Sequence, residues 1–387
     1  MSIILFDNAE RNKLNPLNNC SATADLRLGI FTIKERWANL TSENIDVHTA
    51  DYLSHLYAPV PAGSHIWADA TVLADIHLTE RILVLEEGEA LADAKGLIAG
   101  RKSFSADDFS PAAALQYFET IIEYNEAKRL EYPWQIFQSN DEMIRTDVEW
   151  IASKKQSQPL PLNNRYINPE NIFIEEGAAL NFAVINAASG PVYIGKNTVI
   201  LEGAMIRGPF ALCENAVVKM GAKIYGATTL GPYCIGGGEI KNVVMQGYSN
   251  KAHDGYLGDS VIGNWCNLGA GSTNSNVKNT AGIVNMWNAF MAAEVPAGLK
   301  CGVIMGDYSR TAINSSINTG TVIGICCNVF GVGLLPKNIP HFTWGANAGE
   351  KYKIEKALAH IANWKKMKDH SLNDAETTVL THIFEQL

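Results

Sequence analysis

The residues whose types could support catalysis are concentrated in one segment, KAHDGYLGDSVIGNWCNLGAGSTNSN, residues 251–276. This segment contains His253, the only histidine between positions 164 and 341. An imidazole can accept a proton at neutral pH, and acyl transfer to an amine needs such a base while backbone N–H groups hold the developing oxyanion. We therefore predict that His253 acts as a general base. The alternative is an ordinary surface histidine.

The segment belongs to a part of the chain in which aliphatic residues recur at every sixth position. Isoleucine, leucine or valine occupies every sixth position at Ile194, Ile200, Ile206, Leu212, Val218, Ile224 and Leu230. The same step returns at Tyr256, Ile262 and Leu268, and again at Ile317, Ile323, Val329 and Leu335. Hexapeptide repeats of this kind predict a parallel β-helix, in which each unit is a short strand with a corner and three units close a triangular coil of about 18 residues.

The period also assigns an orientation to the side chains. The recurring aliphatic residues point into the prism, and the small and polar residues between them suit tight corners. Counting back six residues from Tyr256 makes Asn250 an inward residue and leaves His253 facing outward near a corner, where an interface between subunits would form. Residues 165–340 have room for about eight to ten coils. The period does not determine the handedness of the winding.

The rest of the chain lacks this period. Residues 1–105 predict a mixed α/β domain, with strands at SIILF, HIWADATVLADI and RILVLEEG and a helix at LRLGIFTIKERWANL. Residues 106–160 predict a helical connector, because SADDFSPAAALQYFETIIEYNEAKRLEY has an N-terminal cap and an early proline before a long helical pattern. Residues 341–387 predict one or two helices that cap the open end of the β-helix. The predicted fold class is therefore mostly β.

Composition limits the possible partners. The chain has 387 residues, 47% of them hydrophobic and 18% charged, with a formal net charge of −9. Such a chain should fold as a soluble protein with no general attraction to nucleic acid or to anionic membranes. The seven cysteines include no CxxC pair and no zinc spacing, and we expect them to be reduced. No stretch approaches the length of a membrane span, and the N-terminus has no signal peptide, which predicts a cytoplasmic protein.

The His253 segment resembles the acetyltransferase domain of the bifunctional N-acetylglucosamine-1-phosphate uridyltransferase/glucosamine-1-phosphate N-acetyltransferase family. In that family a histidine, a tyrosine three residues later, LGD, IG, N-[LI]-GAG and a later asparagine follow in this order. The segments NNRYINPENIFIEEGA, GPVYIG, IRGPFAL, GAKIYGATTLGP and NTGTVIG resemble the variant of this family found in Bacteroidetes. The resemblance implies a left-handed β-helix, a homotrimer, acetyl-CoA as donor, and an amino-sugar 1-phosphate or nucleotide-sugar as acceptor in UDP-N-acetylglucosamine and cell-envelope precursor synthesis.

The resemblance also implies roles for individual residues. The catalytic base falls on His253, and the substrate-binding residues fall on Tyr256, Asn267 and Asn276, with Arg207 and Lys241 as the best matches to the phosphate-binding cations. Arginine binds phosphate by its bidentate fork and lysine as a point charge. Asp254 would orient the histidine or hold a sugar hydroxyl, and Lys251 is counted with the substrate-binding residues. As alternatives, asparagine is common at corners and either cation can be an ordinary surface residue. Arg310, Lys300 and Lys337 remain alternatives for the coenzyme A diphosphate.

The N-terminal domain departs from the sugar nucleotidyltransferase pattern, which has a glycine-rich loop after the first strand. Here FDNAERNKLNPLNNCSATADLRLG has no glycine before Gly29, and Ser21 stands where an arginine is expected. Arg11 and Lys13 would replace the phosphate-binding arginine, and Asp7 would bind Mg²⁺ if this domain is active. Sugar-1-phosphate nucleotidyl transfer, uridylyl or thymidylyl, is thus the alternative function, and a non-catalytic nucleotide-sugar binding protein is a second one. A metal-dependent hydratase of the carbonic anhydrase kind is disfavoured, because it would need three histidine ligands from the faces of the β-helix and residues 165–340 contain only one histidine.

Overall fold

The structure, a computed structural model, describes residues 2–346 and 350–387 and divides them into two compact units. The first unit contains residues up to Leu26, Phe31–Tyr132 and Asp374–Ile383, and the second contains the other described residues. The mostly β fold class is confirmed, with an α/β region first, a parallel β-helix next and helices at the C-terminus. The predicted cap over 341–387 includes residues 347–349, which lie outside the described part.

The first unit is built on a six-stranded sheet. In spatial order its strands are Asn44–His48, Ser2–Phe6, Ser64–Asp69, Gly96–Ser103, Glu89–Asp93 and Thr120–Glu123. Shorter strands are Phe31–Thr32, Val72–Leu73 and Lys128–Arg129; the helices are Ile33–Thr41 and Ile76–Leu83, and the 3-10 turns are Arg11–Leu14, Thr23–Asp25, Asp51–Leu56, Ala106–Asp108 and Pro111–Tyr117. The first three strands are parallel, and all five residues of SIILF are buried, as expected for a central strand.

Two local predictions for this unit are wrong. The long helix expected from residue 105 to residue 132 is replaced by short turns and the strand Thr120–Glu123, and the long helix of the chain is Gln135–Lys154. The β-branched pair in TIIE favours an edge strand over a helix. RILVLEEG is not a strand, because its first residues complete the helix Ile76–Leu83, which begins at an N-cap where Asp75 accepts from Leu78 N.

The second unit is the parallel β-helix, whose strands form three faces. Face A consists of Arg165–Ile167, Val184–Asn186, Met205–Arg207, Lys223–Tyr225, the first parts of Glu239–Met245 and Tyr256–Ile262, Thr273–Asn274 and Ser316–Ile317. Face B consists of Ile172–Ile174, Val192–Ile194, Phe210–Leu212, Thr228–Leu230, the second parts of the same two long strands, Val303–Met305, Thr321–Ile323 and Asn338–Ile339. Face C consists of Ala179–Leu180, Val199–Ile200, Val217–Val218, Ile235–Gly236, Asn250–Lys251, Asn267–Leu268, Arg310–Thr311 and Asn328–Val329.

The interior of the prism follows the six-residue period through its first half. All seven residues predicted to point inward between Ile194 and Leu230 belong to one buried core. Val192, Phe210 and Thr228 are successive partners in face B, so the coils there are 18 residues long. Burying each aliphatic side chain is worth roughly 1.5 to 3 kcal/mol, which explains why the register is kept.

The predicted register is wrong by one residue near the candidate site. Ile224 pairs with Ile240, and Ile240 pairs with Leu257, so these two coils are shorter than the others. Leu257 is therefore the inward residue and Tyr256 faces outward. On face C, Lys251 is inward in place of Asn250. The count of six fails because the shortened coils shift the phase of the repeat.

Helices and loops of the second unit cover two of the faces. Helix Gln135–Lys154 packs on face B, where Asn140 Nδ2 donates to Ala227 O at 2.8 Å. Helix Ile354–Lys366 packs on face C, and after it Lys368 Nζ donates to Asn250 Oδ1 at 3.1 Å. The remaining elements are the strand Arg27–Leu28, the turn Pro169–Asn171, the hairpin Asn285–Asn288/Ala293–Pro296 and the helix Asp374–Glu385. None of the helices described is long and apolar enough to cross a membrane.

Candidate functional site

His253 lies at the corner that leads from face C to face A. Its side chain is exposed, and within residues 2–346 and 350–387 its imidazole makes no hydrogen bond or ion pair. The backbone around it is held: Gly271 N donates to Asp254 O at 3.0 Å, and Glu239 N donates to Gly255 O at 3.1 Å. A rigid corner thus presents a free imidazole to solvent, as a general base requires.

The His253 corner packs closely against Gly238, a residue of the preceding coil. Gly238 has a φ of +68°, and a Cβ at this position would lie 2.6 Å from the carbonyl oxygen of His253. Any larger residue would be strained by its backbone conformation and would collide with the His253 carbonyl. The position of the corner therefore depends on a glycine in the preceding coil.

Tyr256 and Asn276 meet on the outside of face A. Asn276 Nδ2 donates to the phenolic oxygen of Tyr256 at 3.1 Å and also to Asp259 Oδ2. Asn242 Nδ2 donates to the other oxygen of the same carboxylate at 2.7 Å. Asp259, which is buried, therefore orients Asn276 toward Tyr256. Asp259 belongs to the LGD motif, but the motif alone does not predict this contact.

Burial and nearby carboxylates keep Tyr256 protonated. Burial of the hydroxyl, reinforced by the Asp259 carboxylate, raises the pKa of Tyr256 to about 12. On the same face a hydrogen bond to Glu239, with burial as a second cause, raises the pKa of Tyr225 to about 12. Because Tyr256 accepts from Asn276, its own O–H proton remains available for a bound ligand.

The two predicted phosphate-binding cations lie at different distances from Tyr256. Ile206, Ile224, Ile240 and Leu257 are successive partners on face A, so Lys241 lies one strand away from the strand of Tyr256. Arg207 lies two strands beyond Lys241, which at about 4.8 Å per strand is about 10 Å further along the face. Both side chains are on the outer surface. Lys241 thus lies on the strand next to that of Tyr256, paired with Gly258, whereas Arg207 lies further along the face.

Two further predicted residues lie apart from this group. Asn267 faces outward as expected, but on face C, where its neighbours in the ladder are Asn250 and Arg310. Lys251 is 1% exposed and lies inside the prism, so its prediction as a substrate-binding residue is wrong. The reason is the one-residue shift of the register. Asp254 is exposed at the His253 corner, within reach of solvent and ligands.

The alternatives for coenzyme A are now distinguishable. Arg310 is buried, and its guanidinium carbon lies 5.0 Å from the centre of the Trp364 ring in the helix that covers face C. The side chain of Arg310 is therefore covered by other residues of the same chain, and a coenzyme A diphosphate would not reach it. Lys300 is exposed and Lys337 is half-buried, so both remain candidates for contact with a diphosphate.

In the first unit, Asp7 and Arg11, two of the three residues predicted to bind metal or nucleotide, hold the loop after the first strand. Asp7 is buried and accepts from Arg11 Nε at 2.8 Å, Thr49 Oγ1 at 2.5 Å and Thr23 N at 3.0 Å. Arg11 also donates to Asn18 O at 2.6 Å. Both are engaged by internal partners, so neither fits its predicted role as Mg²⁺ or phosphate ligand. In the described residues no group of three His, Cys, Asp or Glu side chains is arranged to hold a metal.

Lys13 lies at a cavity in the same unit. The cavity has a volume of about 330 Å³ and is lined by Lys13, Lys95, Arg129, Asn8 and Glu131, among others. Lys13 forms an ion pair with Glu10 at 2.7 Å. The cavity opens beyond the carboxyl ends of Ser2–Phe6 and Ser64–Asp69, where ligands bind in open α/β sheets. A larger cavity of about 860 Å³ includes His48, Asp51, His55, Phe104 and Asp107 in its lining.

Arg129 is the residue of this region that the sequence analysis missed. Its guanidinium bridges Asp69 Oδ2 at 2.6 Å and Asp93 Oδ2 at 3.0 Å, and all three side chains are largely buried. Burial raises the pKa of Asp69, although Arg129 opposes the shift. No signal in the sequence indicated this triad, because its members come from three separate strands.

The structure therefore offers two candidate sites, the cavity at the strand ends of the α/β unit and the polar outer face of the parallel β-helix. Residues 3–156 match the family described as sugar nucleotidyl transferase. The chain is 22% identical over 257 residues to the bifunctional protein GlmU of Cyanothece sp., covering 60% of this chain and 50% of that protein. The predicted resemblance to the bifunctional uridyltransferase/acetyltransferase family is thereby confirmed.

Two other comparisons are with acetyltransferases. The chain is 27% identical over 179 residues to the uncharacterized acetyltransferase YaiX of Escherichia coli, covering 42% of this chain and 70% of that protein. A crystal structure of the polySia specific acetyltransferase NeuO aligns with 49% of this chain and 82% of that chain at 13% identity, with a TM-score of 0.27, from which we conclude nothing further. The chain spans about half the length of the curated relatives it matches, 50% of the GlmU protein of Cyanothece sp. and 46% of that of Synechococcus elongatus.

Proposed function

We propose that the protein is an acetyl-CoA-dependent N-acetyltransferase acting on an amino-sugar 1-phosphate or a nucleotide-sugar in cell-envelope precursor synthesis. The observation that carries this proposal is the exposed imidazole of His253, which has no partner among the described residues and lies three positions before Tyr256, the acceptor of the Asn276 hydrogen bond. Acetyl-CoA, when bound, would supply the acetyl group: an amide bond forms at the thioester carbonyl, the C–S bond breaks, and coenzyme A leaves as its thiol. His253 removes the proton from the attacking nitrogen.

The other residues of this corner orient the acceptor. Tyr256 donates its phenolic proton to a sugar oxygen, and Asn276 keeps the phenol in place. Lys241, one strand away, attracts the phosphate as a point charge. Asp254 is exposed beside the histidine and offers a carboxylate to a sugar hydroxyl.

A homotrimer in the cytoplasm is part of the same proposal. On face A the exposed apolar side chains Val184 and Met205 are paired neighbours, and such a surface suits contact with another subunit. All seven cysteines are free, six of them buried, which supports a reducing compartment. Asn267 and Arg207 would enter the site only through such an assembly. Light scattering coupled to size exclusion measures the oligomeric state, and a monomer would exclude this part.

Steady-state kinetics with acetyl-CoA and glucosamine 1-phosphate test the proposal. His253→Ala should lower kcat by about 10²- to 10⁴-fold, which is the usual contribution of a general base. His77→Ala, at an exposed position of the first unit, is the matched control and should keep wild-type kinetics. An unchanged rate in His253→Ala would remove the base assignment.

A second candidate, sugar-1-phosphate nucleotidyl transfer, is supported by the family match over residues 3–156 and by the cavity that contains Lys13 and Arg129. The assay is release of pyrophosphate from UTP or dTTP with Mg²⁺ and a sugar 1-phosphate, and Lys13→Met should weaken it. Ligand-induced shifts of the melting temperature without turnover in either assay would favour the third candidate, a nucleotide-sugar binding protein.

A further inference from the structure

Lys251 occupies an interior position of the prism that the period reserves for an aliphatic residue. It pairs with Gly236 in the preceding coil, and Gly236 pairs with Val218. Only 1% of Lys251 is exposed. Because Gly236 has no side chain, the long lysine side chain has room inside the prism.

The amine of Lys251 connects two successive corners. Its Nζ donates to the carbonyl oxygen of Gly237 at 3.3 Å and to the carbonyl oxygen of His253. Gly237 belongs to the coil below, and its own N–H donates to Lys251 O at 2.7 Å. The backbone that carries the candidate base is therefore held from inside the prism by a charged group.

A lysine at this position is not explained by packing. Taking a charged group out of water is unfavourable, so an apolar residue is the default at a fully buried position. Burial lowers the pKa of Lys251 to about 8, and the nearby Asp254 carboxylate opposes the shift. Departures from the default core pattern are expected at functional sites.

The interior is polar in the neighbouring coil as well. Asn274 is 2% exposed and lies inward behind Tyr256, where its Oδ1 accepts from Gly258 N at 2.8 Å. Its Nδ2 donates to Gly258 O at 3.0 Å. Two interior positions near the corner that presents His253 are thus hydrogen-bonded instead of aliphatic, and Lys251 is the charged one of the two.

We propose that Lys251 is a positioning residue of the acetyl-transfer site: its internal amine fixes the carbonyl of His253 and thereby the direction in which the imidazole leaves the corner. The inference rests on the proposed role of His253 as the base. Lys251 does not touch the substrate, because its side chain is enclosed in the prism. A displacement of the base by about 1 Å costs about 100-fold in rate, which sets the expected size of the effect.

The test compares Lys251→Met with Lys219→Met. Methionine matches the length and suits an apolar interior, so Lys251→Met should fold with an unchanged or higher melting temperature while kcat falls about 100-fold and both KM values stay within about twofold. Lys219 lies at the same edge of the prism, in an earlier coil, and its variant should behave as wild type. In the His253→Gln background, Lys251→Met should cause no further loss of kcat.

A second readout does not depend on acetyl transfer. In ¹⁵N-histidine NMR spectra the His253 ring signals, identified by their loss in His253→Gln, should shift or broaden in Lys251→Met and remain in place in Lys219→Met. If wild type transfers no acetyl group, the proposed function fails, while this spectrum still reports whether Lys251 positions the imidazole. Unchanged His253 signals together with kcat within about twofold of wild type would overturn the inference. If Lys251→Met does not fold, Lys251→Gln, which keeps an amide donor, replaces it in both measurements.

Discussion

Asn276 donates a hydrogen bond to the phenolic oxygen of Tyr256 at 3.1 Å, although the two residues are 20 positions apart in the sequence. The contact exists because the coil that ends at Asn276 stacks on the coil that contains Tyr256. Asp259 accepts from the same amide and fixes its orientation. The pair is therefore a preformed part of the proposed acceptor site.

Tyr256→Phe removes the hydroxyl that this arrangement presents. We expect kcat/KM for the amino-sugar acceptor to fall about 2- to 13-fold, since one neutral hydrogen bond is worth about 0.5 to 1.5 kcal/mol. The KM for acetyl-CoA should change little. Tyr166→Phe is the control, because Tyr166 lies on the same face and its hydroxyl donates to Pro161 O at 2.8 Å. Equal kinetics for the two variants would remove Tyr256 from the site.

Lys241→Met tests the charge beside Tyr256. The variant should raise KM about 10- to 100-fold for a phosphorylated amino sugar, because a charged hydrogen bond contributes about 1.5 to 3 kcal/mol. It should not change KM for the same sugar without phosphate. Lys196→Met, at an exposed corner, should keep both KM values. A loss of the same size for both sugars would contradict phosphate recognition.

Arg129→Met tests the buried ion pairs of the first unit. Removing the guanidinium leaves Asp69 and Asp93 without their cation, which should destabilise this unit by about 3 to 5 kcal/mol. Hydrogen exchange of the strand Ser2–Phe6 measures the loss locally. Lys95→Met breaks only the surface pair with Glu131, and its effect should stay below about 1 kcal/mol. Equal protection in both variants would show that the triad is not stabilising.

The sequence predicted the β-helix fold, but it did not predict the individual contacts between coils and strands. The hexapeptide period shows directly in the sequence, because each coil places the same side chain in the same interior position, and Ile206 and Ile224 are such partners. The phase of the six-residue repeat near His253 could not be predicted. The two coils before Leu257 are shorter than 18 residues, and their length is set by the conformation of their corners, which the repeat does not show. The strand Thr120–Glu123 was missed because its partner, Glu89–Asp93, is distant in sequence.

The candidate site was predictable in its residue types and not in its geometry. His253 and Tyr256 are close in sequence, so the outward corner could be inferred from the repeat. The roles of Asp259 and Asn242 arise only when coils stack, because their contact spans 17 residues. The interior position of Lys251 contradicts the usual exposure of lysine, and no spacing rule predicts such an exception.

Asp307→Asn tests the pH dependence of stability. Asp307 is buried and accepts from Asn264 N at 2.6 Å, and burial raises the pKa of its carboxyl to about 7. Between about pH 4 and pH 7 the unfolded chain has lost this proton while the folded chain retains it, so raising the pH favours unfolding by up to about 1.4 kcal/mol per pH unit.

Asparagine stays neutral and keeps the acceptor oxygen for Asn264. The free energy of unfolding of Asp307→Asn, relative to wild type, should therefore rise from about pH 4 to pH 7 and level off above it. Chemical denaturation at several pH values gives this difference. Asp369→Asn, at an exposed position of the same unit, should retain the wild-type pH dependence. A difference between Asp307→Asn and wild type that is constant with pH would show that the Asp307 carboxyl does not titrate in this range.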